Sequence, residues 1–237
     1  MNIAVIIAGG VGRRMALDIP KQFVHVCGKP VLVYTLENFQ KHPEVDAIEV
    51  VCIEGWEDMV WAYAKQFEIT KLKWVVQAGN TCQESIRNGI MALDDKVDDN
   101  DIVIIHDGIR PMLEATVLSD VLRVCRKHGN AVTSMPYNEQ IFVISDDDPE
   151  TTTEFVPRET LRRVSTPQAY SFSKIKKAYE RAFKEEIGIY GSSYTNTMMV
   201  ELGERLHFAM GSDKNIKLTT KDDLELFKAY LKMDSKV

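Results

Sequence analysis

The feature that most constrains this chain is an alternation of short, apolar, β-branched runs with longer amphipathic stretches. A run that is apolar along its whole length suits a strand buried on both faces, and strands separated by helices pair in parallel. The pattern therefore predicts an α/β fold with a Rossmann-like, mostly parallel sheet and helices on both faces. The predicted strands are Asn2–Ala8, Ala47–Cys52, Lys73–Gln77, Ile102–His106, Ala131–Met135 and Leu206–Met210.

The stretches between the predicted strands have helical periodicity and helix-start residues. Pro30 stands at an allowed first-turn position, and Asn80 or Thr81 can cap the third helix. A chain of 237 residues with 45% apolar content suffices for one core, so we expect a single domain over residues 1–237. The predicted helices are Pro30–Lys41, Trp56–Phe67, Thr81–Leu93, Thr116–His128, Ser173–Glu186, Tyr194–Leu202 and Lys221–Met233.

The alternation breaks after Met135, where two short apolar segments flank the loop sequence DDDPETTT. Gln140–Ser145 and Glu154–Val156 are predicted as the strands of a β-arm inserted at about residues 137–166. A two-stranded arm cannot bury its own apolar residues, so it must pack against a second copy in a two-fold dimer or fold back on its own domain. The apolar residues concerned are Ile141, Phe142, Val143, Phe155 and Val156.

Charge, cysteine spacing and hydropathy narrow the class of function. The formal net charge of −6 argues against non-specific binding to nucleic acid. The four cysteines, Cys27, Cys52, Cys82 and Cys125, form no C-x-x-C pair, so a zinc site is disfavoured and Cys52 and Cys125 are expected in the core. The chain has no signal-like start and no run of about 18 apolar residues, so we expect no membrane segment and a cytoplasmic location.

The first predicted strand is followed at once by the glycine-rich sequence AGGVGRRM. Ligands of open parallel sheets bind beyond the carboxyl ends of the strands, and Gly9, Gly10 and Gly12 lie at that place. Glycines let backbone N–H groups approach an anion closely. Arg14 and Lys21, together with the neighbouring Arg13, supply positive charge, so the segment predicts a site for a triphosphate.

Other interpretations of this loop remain. The chain has no Walker A string, and Met15 occupies the third glycine position of a dinucleotide fingerprint. A nicotinamide-dependent oxidoreductase would need an acidic residue closing a second strand about twenty residues on, where the helix Pro30–Lys41 is predicted instead. A tight turn with solvated arginines would also fit the loop alone. A non-catalytic protein that keeps the nucleotide-binding fold is a further alternative, suggested by unusual residues elsewhere in the chain, Glu139 and Gln140 among them.

Further motifs follow the loop in order. With AGGVGRRM they give the chain a resemblance, from Asn2 to about Leu231, to cytidylyltransferases of the 2-C-methyl-D-erythritol 4-phosphate and ribitol 5-phosphate type. The AGG form of the loop and the Ile after HDG lean slightly toward the ribitol 5-phosphate branch. The motifs are PKQF (Pro20–Phe23), IIHDGIRP (Ile104–Pro111), PRETL (Pro157–Leu161), TPQ (Thr166–Gln168) and NIKLTTKDDL (Asn215–Leu224).

The resemblance implies attack by a polyol phosphate oxygen on the α-phosphorus of CTP, with release of pyrophosphate. It implies that Arg14 and Lys21 contact the triphosphate and that Lys217 bridges the two phosphates. Asp107, at the end of a predicted strand, is expected to hold Mg²⁺, because a carboxylate beside a triphosphate otherwise repels it. The alternative for Asp107 is a salt bridge to Arg110 in the same loop.

The resemblance also assigns residues to the two substrates. The cytosine pocket is expected at Ala8, Gly9, Gly79, Asn80 and Ser85. Acceptor binding is expected from Arg110, Arg158, Thr166 and Thr195, with Lys217 also meeting the acceptor phosphate. The arm of the family crosses to a partner subunit, so we expect a homodimer in which Arg158 completes the other chain's site.

The chain departs from the family mainly in the acceptor half. Cys82 stands where an arginine is usual, and Glu139 and Gln140 replace a shorter Asp-Thr pair. Asn196 follows Thr195 where an acidic residue is usual. Cytidylyl transfer is therefore predicted more firmly than the identity of the polyol.

Overall fold

The structure, a computed structural model, describes residues 1–10, 19–191 and 194–234. Arg14 and Gly12, both predicted to bind the nucleotide, lie outside the described residues. The strands are β1 (Asn2–Ala8), β2 (His25–Val26), β3 (Lys29–Pro30), β4 (Ala47–Cys52), β5 (Leu72–Gln77), β6 (Ile102–Asp107), β7 (Asn130–Pro136), β8 (Ile141–Val143), β9 (Glu154–Val156), β10 (Arg162–Ser171) and β11 (Phe208–Met210).

The main sheet has seven strands in the order β11-β7-β10-β6-β1-β4-β5. Strand β1 pairs in parallel with β4 and β6, β4 with β5, and β7 with β11, while β10 runs antiparallel to both β6 and β7. The predicted mostly parallel α/β fold is therefore confirmed. Since β1 lies between β6 and β4, its carboxyl end and the loops beside it are at the centre of the sheet edge where ligands bind.

Helices cover both faces of the sheet. One core cluster includes Leu32, Leu36 and Phe39 and a second includes Ile86, Ile90 and Tyr179, on opposite sides of β1. Cys52 and Cys125 are buried in the first cluster, as predicted. The helices are α1 (Val31–Lys41), α2 (Glu57–Gln66), α3 (Cys82–Ala92), α4 (Ala115–His128), α5 (Phe172–Glu185), α6 (Thr195–Glu201) and α7 (Lys221–Asp234).

The sequence analysis named no strand at β10 and ended the arm at about residue 166, within this strand. Pro167 and two arginines in Arg162–Ser171 are poor signals for a central strand. The strand accommodates them with an irregularity between Ser165 and Gln168, where its register against β7 shifts. Its first half continues from the arm, and its second half lies beside β6.

The predicted β-arm is present as the antiparallel pair β8 and β9, joined in the register Phe142 to Phe155. Its apolar side chains are exposed: Phe142 by 57% and Phe155 by 65%. Ile144, just beyond β8, is exposed by 65%. In the described part of the chain, no helix is both long and apolar enough to cross a membrane.

Candidate active site

Two adjoining cavities open at the carboxyl end of the sheet. The larger, the glycine lobe, has a volume of about 490 Å³ and is lined by Gly9, Gly10, Lys21, Gly79, Asn80 and Ser85, among others. The smaller, the threonine lobe, has about 320 Å³ and is lined by Arg110, Thr166, Gln168, Tyr194, Thr195 and Asn196, among others. Ile7, Cys82, Asp107 and Lys217 line both lobes.

Two glycines bring bare backbone to the wall of the glycine lobe. A Cβ on Gly9 would lie 2.4 Å from Ala78 Cβ, and one on Gly79 would lie 2.4 Å from Glu84 Cβ. A side chain at Gly9 would force the loops after β1 and β5 apart, and one at Gly79 would push its loop away from the first turn of α3. The close approach therefore explains why glycine is required at both places.

The start of α3 completes this wall. Thr81 accepts from the Glu84 backbone N–H in a capping box, which settles the sequence alternative in favour of Thr81 over Asn80. The Ser85 hydroxyl accepts from the Gly79 N–H at 3.1 Å and donates to the Thr81 carbonyl at 2.8 Å. Ser85 thus holds the loop that carries Gly79 and Asn80, in addition to lining the lobe.

Lys21 is aimed into the glycine lobe by the two residues that follow it. Gln22 Nε2 donates to the Ala8 carbonyl at 2.6 Å, so the turn Lys21–Phe23 is fixed to the end of β1. Phe23 is buried and stacks on Trp56 with ring centroids 4.3 Å apart. The PKQF motif is thus an anchor that leaves its lysine at the cavity.

Asp107, the last residue of β6, lies at the boundary of the two lobes and is paired with two cations. Its Oδ1 lies 3.1 Å from Lys217 Nζ, and its Oδ2 accepts from Arg110 Nε at 2.8 Å. Burial raises the pKa of this carboxyl, but the Lys217 and Arg110 charges outweigh burial and hold the pKa well below its usual range. Asp107 is therefore an anion that positions two cations.

Asn215 ties three segments of this cluster together. Its Nδ2 donates to the Thr166 carbonyl at 2.7 Å, and its own carbonyl accepts from Arg110 Nη1 at 2.7 Å. Lys217 follows two residues later. Asn215 is 4% exposed, so the loop that carries Lys217 is held rigidly against β10 and the loop after β6.

His106 precedes Asp107 but points into the core. It is completely buried, its Nε2 lies 3.1 Å from the Arg110 carbonyl, and burial lowers its pKa to about 4. A neutral imidazole that donates to this carbonyl supports the loop after β6.

The structure brings most, but not all, of the predicted residues together. Ala8 lies beneath the glycine lobe without lining it, because its carbonyl is used by Gln22. Arg158 is exposed at the base of the arm, donates to the Asn138 carbonyl at 2.9 Å, and lines neither lobe of its own chain. The roles assigned to the site residues remain predictions.

The carboxylates near the two lobes determine which metal ion the site can bind. Within residues 1–10, 19–191 and 194–234, no group of three or more His, Cys, Asp or Glu side chains is placed to hold a metal ion. Magnesium at nucleotide sites needs only one or two carboxylates, since phosphates and water supply its other ligands. Asp107 fits that smaller requirement.

Several lining residues were missed by the sequence reading of function. Glu54 and Gln77 line the glycine lobe, and Gln168 and Tyr194 line the threonine lobe. Tyr194 places its ring 5.9 Å from Lys217 Nζ. Tyr194 directly precedes Thr195, a predicted site residue, and Gln168 is the last residue of the TPQ motif. Their positions in the sequence therefore gave a weak indication that they line the site.

A glycine-lined cavity with converging cations at the carboxyl edge of a parallel sheet defines the class of the protein, an α/β enzyme that binds a phosphorylated nucleotide. The sequence matches the profile of IspD, 2-C-methyl-D-erythritol 4-phosphate cytidylyltransferase, over residues 2–233. The chain belongs to this family and is a cytidylyltransferase, a member of the nucleotidyltransferases.

Relatives and solved structures support this placement. The chain is 55% identical to a ribitol-5-phosphate cytidylyltransferase of Lacticaseibacillus paracasei, over 98% of each chain. It is 34% identical to a 2-C-methyl-D-erythritol 4-phosphate cytidylyltransferase of Syntrophus aciditrophicus, over 98% of this chain and 96% of that one. The fold superimposes with a TM-score of 0.83 on 4-diphosphocytidyl-2C-methyl-D-erythritol synthase from Anaerococcus prevotii, at 25% identity, covering 98% of this chain and 96% of that one.

Proposed function

We propose that this enzyme transfers CMP from CTP to D-ribitol 5-phosphate, which gives CDP-ribitol and pyrophosphate. The observation that carries the choice of acceptor is the 55% identity, over nearly the whole of both chains, to the ribitol-5-phosphate enzyme of L. paracasei. The 2-C-methyl-D-erythritol 4-phosphate relatives are more distant, at 33–35% identity.

CTP would occupy the glycine lobe. The base would lie against the loop of Gly79 and Asn80, and the triphosphate would meet the loop after β1 and Lys21. Arg14, from the same loop, would add a second cation. Backbone N–H groups and fixed cations are the groups that stabilise charge on a transferring phosphoryl group.

D-Ribitol 5-phosphate would occupy the threonine lobe, near Arg110 and Thr166. Its phosphate is already ionised at neutral pH, so attack on the α-phosphorus needs no general base. Lys217 lines both lobes. While keeping its contact with Asp107, it would also contact the acceptor phosphate that attacks and the α-phosphate of CTP that is attacked. Placement and charge neutralisation would supply most of the rate enhancement.

Asp107 would hold Mg²⁺ together with the phosphates of CTP. When bound, the ion would neutralise part of the triphosphate charge. Lys217 and Arg110 each occupy one side of the Asp107 carboxylate, which leaves further lone pairs on its oxygens for a metal.

A pyrophosphate-release assay tests the function. The enzyme would be given CTP, Mg²⁺ and, separately, D-ribitol 5-phosphate, 2-C-methyl-D-erythritol 4-phosphate, glycerol phosphate and D-ribulose 5-phosphate. We expect kcat/KM to be highest for D-ribitol 5-phosphate, and kcat to fall about 100-fold in the Lys21→Ala variant, which rules out a contaminant. A higher kcat/KM with 2-C-methyl-D-erythritol 4-phosphate would overturn the choice of acceptor, and a folded enzyme that is silent with every acceptor would overturn catalysis.

The exposed arm supports a homodimer in which Arg158 serves the partner's site. Phe142 and Phe155 are more than half exposed, and a second copy of the chain would bury them. If Arg158 acts across the dimer, mixing Arg158→Ala chains with Lys21→Ala chains restores one intact site in each heterodimer. Verified heterodimers with no recovery of activity would refute the exchange.

A further inference from the structure

An aromatic ring lies beside the lysine that the two lobes share. Tyr194 directly precedes α6, lines the threonine lobe and places its ring centroid 5.9 Å from Lys217 Nζ. This distance is within the range of about 6 Å in which the face of a ring attracts a cation. The contact therefore links the start of α6 to the segment that carries Lys217.

The backbone of Tyr194 is held in place at the start of α6. Its N–H donates to Thr197 Oγ1 at 2.7 Å, and its carbonyl accepts from the Thr197 hydroxyl at 2.8 Å and from the Met198 N–H at 2.9 Å. Met198 and Met199 are completely buried, so α6 is packed firmly against the core. Tyr194 is 49% exposed, and its ring extends toward Lys217 from this fixed backbone.

Lys217 is held by fewer hydrogen bonds than the neighbouring arginine. Arg110 donates from Nε to Asp107 at 2.8 Å and from Nη1 to the Asn215 carbonyl at 2.7 Å. Among the residues that the structure describes, Asp107 is the only hydrogen-bond partner of Lys217 Nζ, at 3.1 Å. A lysine has a flexible four-carbon stem and three N–H donors, so a second contact would limit the positions that its ammonium group can take.

A ring differs from a carboxylate as a partner for this lysine. A carboxylate brings a negative charge that opposes the approach of phosphates, and Asp107 already contributes one. The ring of Tyr194 attracts the ammonium group through its quadrupole and carries no net charge. It can therefore fix the position of Lys217 without cancelling the positive charge that phosphates would meet.

We propose that Tyr194 is a positioning residue, whose ring holds the Lys217 ammonium group at the boundary of the two lobes through a cation–π contact. The inference rests on the proposed function, because it takes Lys217 as the cation between the acceptor phosphate and the α-phosphate of CTP. Stabilisation of this kind depends on cations that are already in place before the reaction begins. A small displacement of a group that acts on the reacting atoms is costly.

Two substitutions separate the ring of Tyr194 from its hydroxyl group. Tyr194→Leu keeps an apolar side chain but removes the ring, and we expect kcat/KM for the acceptor to fall about three- to tenfold, the range of one cation–π contact. Tyr194→Phe keeps the ring and should stay within about twofold of wild type. The Kd for CTP, measured by calorimetry, should change little, since Lys21 and the glycine loop also hold the nucleotide.

A fluorinated series tests the cation–π contact at constant shape. Phenylalanine with one, two or three ring fluorine atoms would be incorporated at position 194. Fluorine withdraws electron density from the face of the ring, so the attraction for a cation weakens with each atom while the size of the side chain hardly changes. We expect the logarithm of kcat/KM to fall in steps with the number of fluorine atoms, and Tm to stay constant. A merely structural role for the ring would give no such steps.

Tyr190→Leu is the matched control. Tyr190 is 66% exposed, donates to Glu186 Oε1 at 3.3 Å and lines neither lobe. Its loss should leave kcat/KM and the Kd for CTP unchanged. Should Tyr194→Leu fail to fold, the fluorinated series still decides, because its members have nearly the shape of phenylalanine.

The outcomes separate this inference from the proposed function. A wild-type enzyme that uses D-ribitol 5-phosphate, with kcat/KM independent of fluorination, would overturn the inference alone. Equal losses in Tyr194→Phe and Tyr194→Leu would overturn it as well, because the hydroxyl group would then matter and not the ring. A preference for 2-C-methyl-D-erythritol 4-phosphate would overturn the choice of acceptor, and stepwise losses with that acceptor would still support the role of Tyr194. An enzyme that is silent with every acceptor would overturn both.

Discussion

Two carboxyl groups lie on the strands that flank β1, the partly buried Asp107 and the fully buried Glu49, and their surroundings are opposite. Asp107 on β6 is opposite Ile7 and is paired with Lys217 and Arg110. Glu49 on β4 is opposite Val5 and completely buried, and in the described part of the chain neither of its oxygens has a hydrogen-bond partner. Burial raises the pKa of Glu49 to about 8, against a smaller opposing effect of the Lys96 charge.

The surroundings of the two carboxyl groups differ because Asp107 and Glu49 occupy different positions along their strands. Asp107 ends its strand, so loops from distant parts of the chain can reach it with cations. Glu49 lies in the middle of its strand beneath Gly89 of α3, and a Cβ at Gly89 would lie 2.9 Å from Glu49 Oε1. A charge at the end of a strand can be used for binding, whereas a carboxyl group in the middle stays protonated or costs stability.

Asp107→Asn should have the largest effect, on activity. Lys217 and Arg110 would lose the anion that positions them, and the proposed metal ligand would be lost, so we expect kcat/KM to fall about 1,000-fold. Tm should change by only a few degrees, because both cations keep contact with water. Steady-state kinetics and thermal melts check this. Asp120→Asn is the matched control, since Asp120 also pairs with an arginine three residues on and lines neither lobe.

Lys21→Ala should have the next largest effect. The lysine lines the glycine lobe, and its loss should lower kcat about 100-fold with an unchanged Tm. Lys73→Ala, an exposed lysine on the edge strand β5, should change neither quantity. A parallel fall in Tm and activity for Lys21→Ala would mean that the lysine supports folding rather than the reaction.

Glu49 should make stability depend on pH. Below about pH 4.5 the group is protonated in both the folded and unfolded chain, so it has no effect there. As pH rises toward about 8, the unfolded chain ionises first and the free energy of unfolding falls. Glu49→Gln removes this ionisation and should raise the free energy of unfolding at pH 8 by about 2 kcal/mol, after the cost of a buried amide.

Denaturant titrations of both proteins between pH 5 and 9 measure this effect of Glu49. The difference in stability between Glu49→Gln and wild type should grow with pH up to about 8 and then level off. The kcat at neutral pH should match that of wild type. A constant difference across the whole range would show that Glu49 has a partner and an ordinary pKa.

Gly89→Ala should have the smallest effect. The added methyl group would lie 2.6 Å from Val51 Cγ2 as well as close to Glu49, so α3 must shift away from the sheet. We expect a loss of about 1–2 kcal/mol, because the higher helix propensity of alanine offsets part of the strain. Chemical denaturation measures it. Among the described residues, a Cβ on Gly10 would meet no atom within 4 Å, so Gly10→Ala is the matched control for stability.

The sequence correctly predicted the strands and helix starts that are determined by residues close together in the chain. Strands β1, β4 and β6 are mainly apolar on both faces, with Glu49, His106 and Asp107 as exceptions, and Thr81 with Glu84 forms a capping box within four residues. The two short strands predicted on either side of DDDPETTT are also present, as the pair β8 and β9. These patterns depend on neighbours in the chain, so they could be read without knowing the fold.

Features that depend on distant contacts could not be read in this way. Strand β10 is a strand because β6 and β7 lie on either side of it, and its own residues argue against it. The buried hydrogen bond between Tyr179 and Gln83 joins residues that are 96 positions apart, and each alone looks like an ordinary helix residue. Glu49 interrupts an apolar strand, yet nothing near it in the sequence shows that it has no partner.

The contact between Asp107 and Lys217 joins residues that are 110 positions apart. A chain still being made on the ribosome has built β1, β6 and the glycine loop long before it reaches this lysine. Until then Asp107 lacks one of its two cations, and both lobes lack the wall that Lys217 provides. The boundary that the two lobes share therefore forms only after the segment that carries Lys217 has been made, however early the sheet itself is complete.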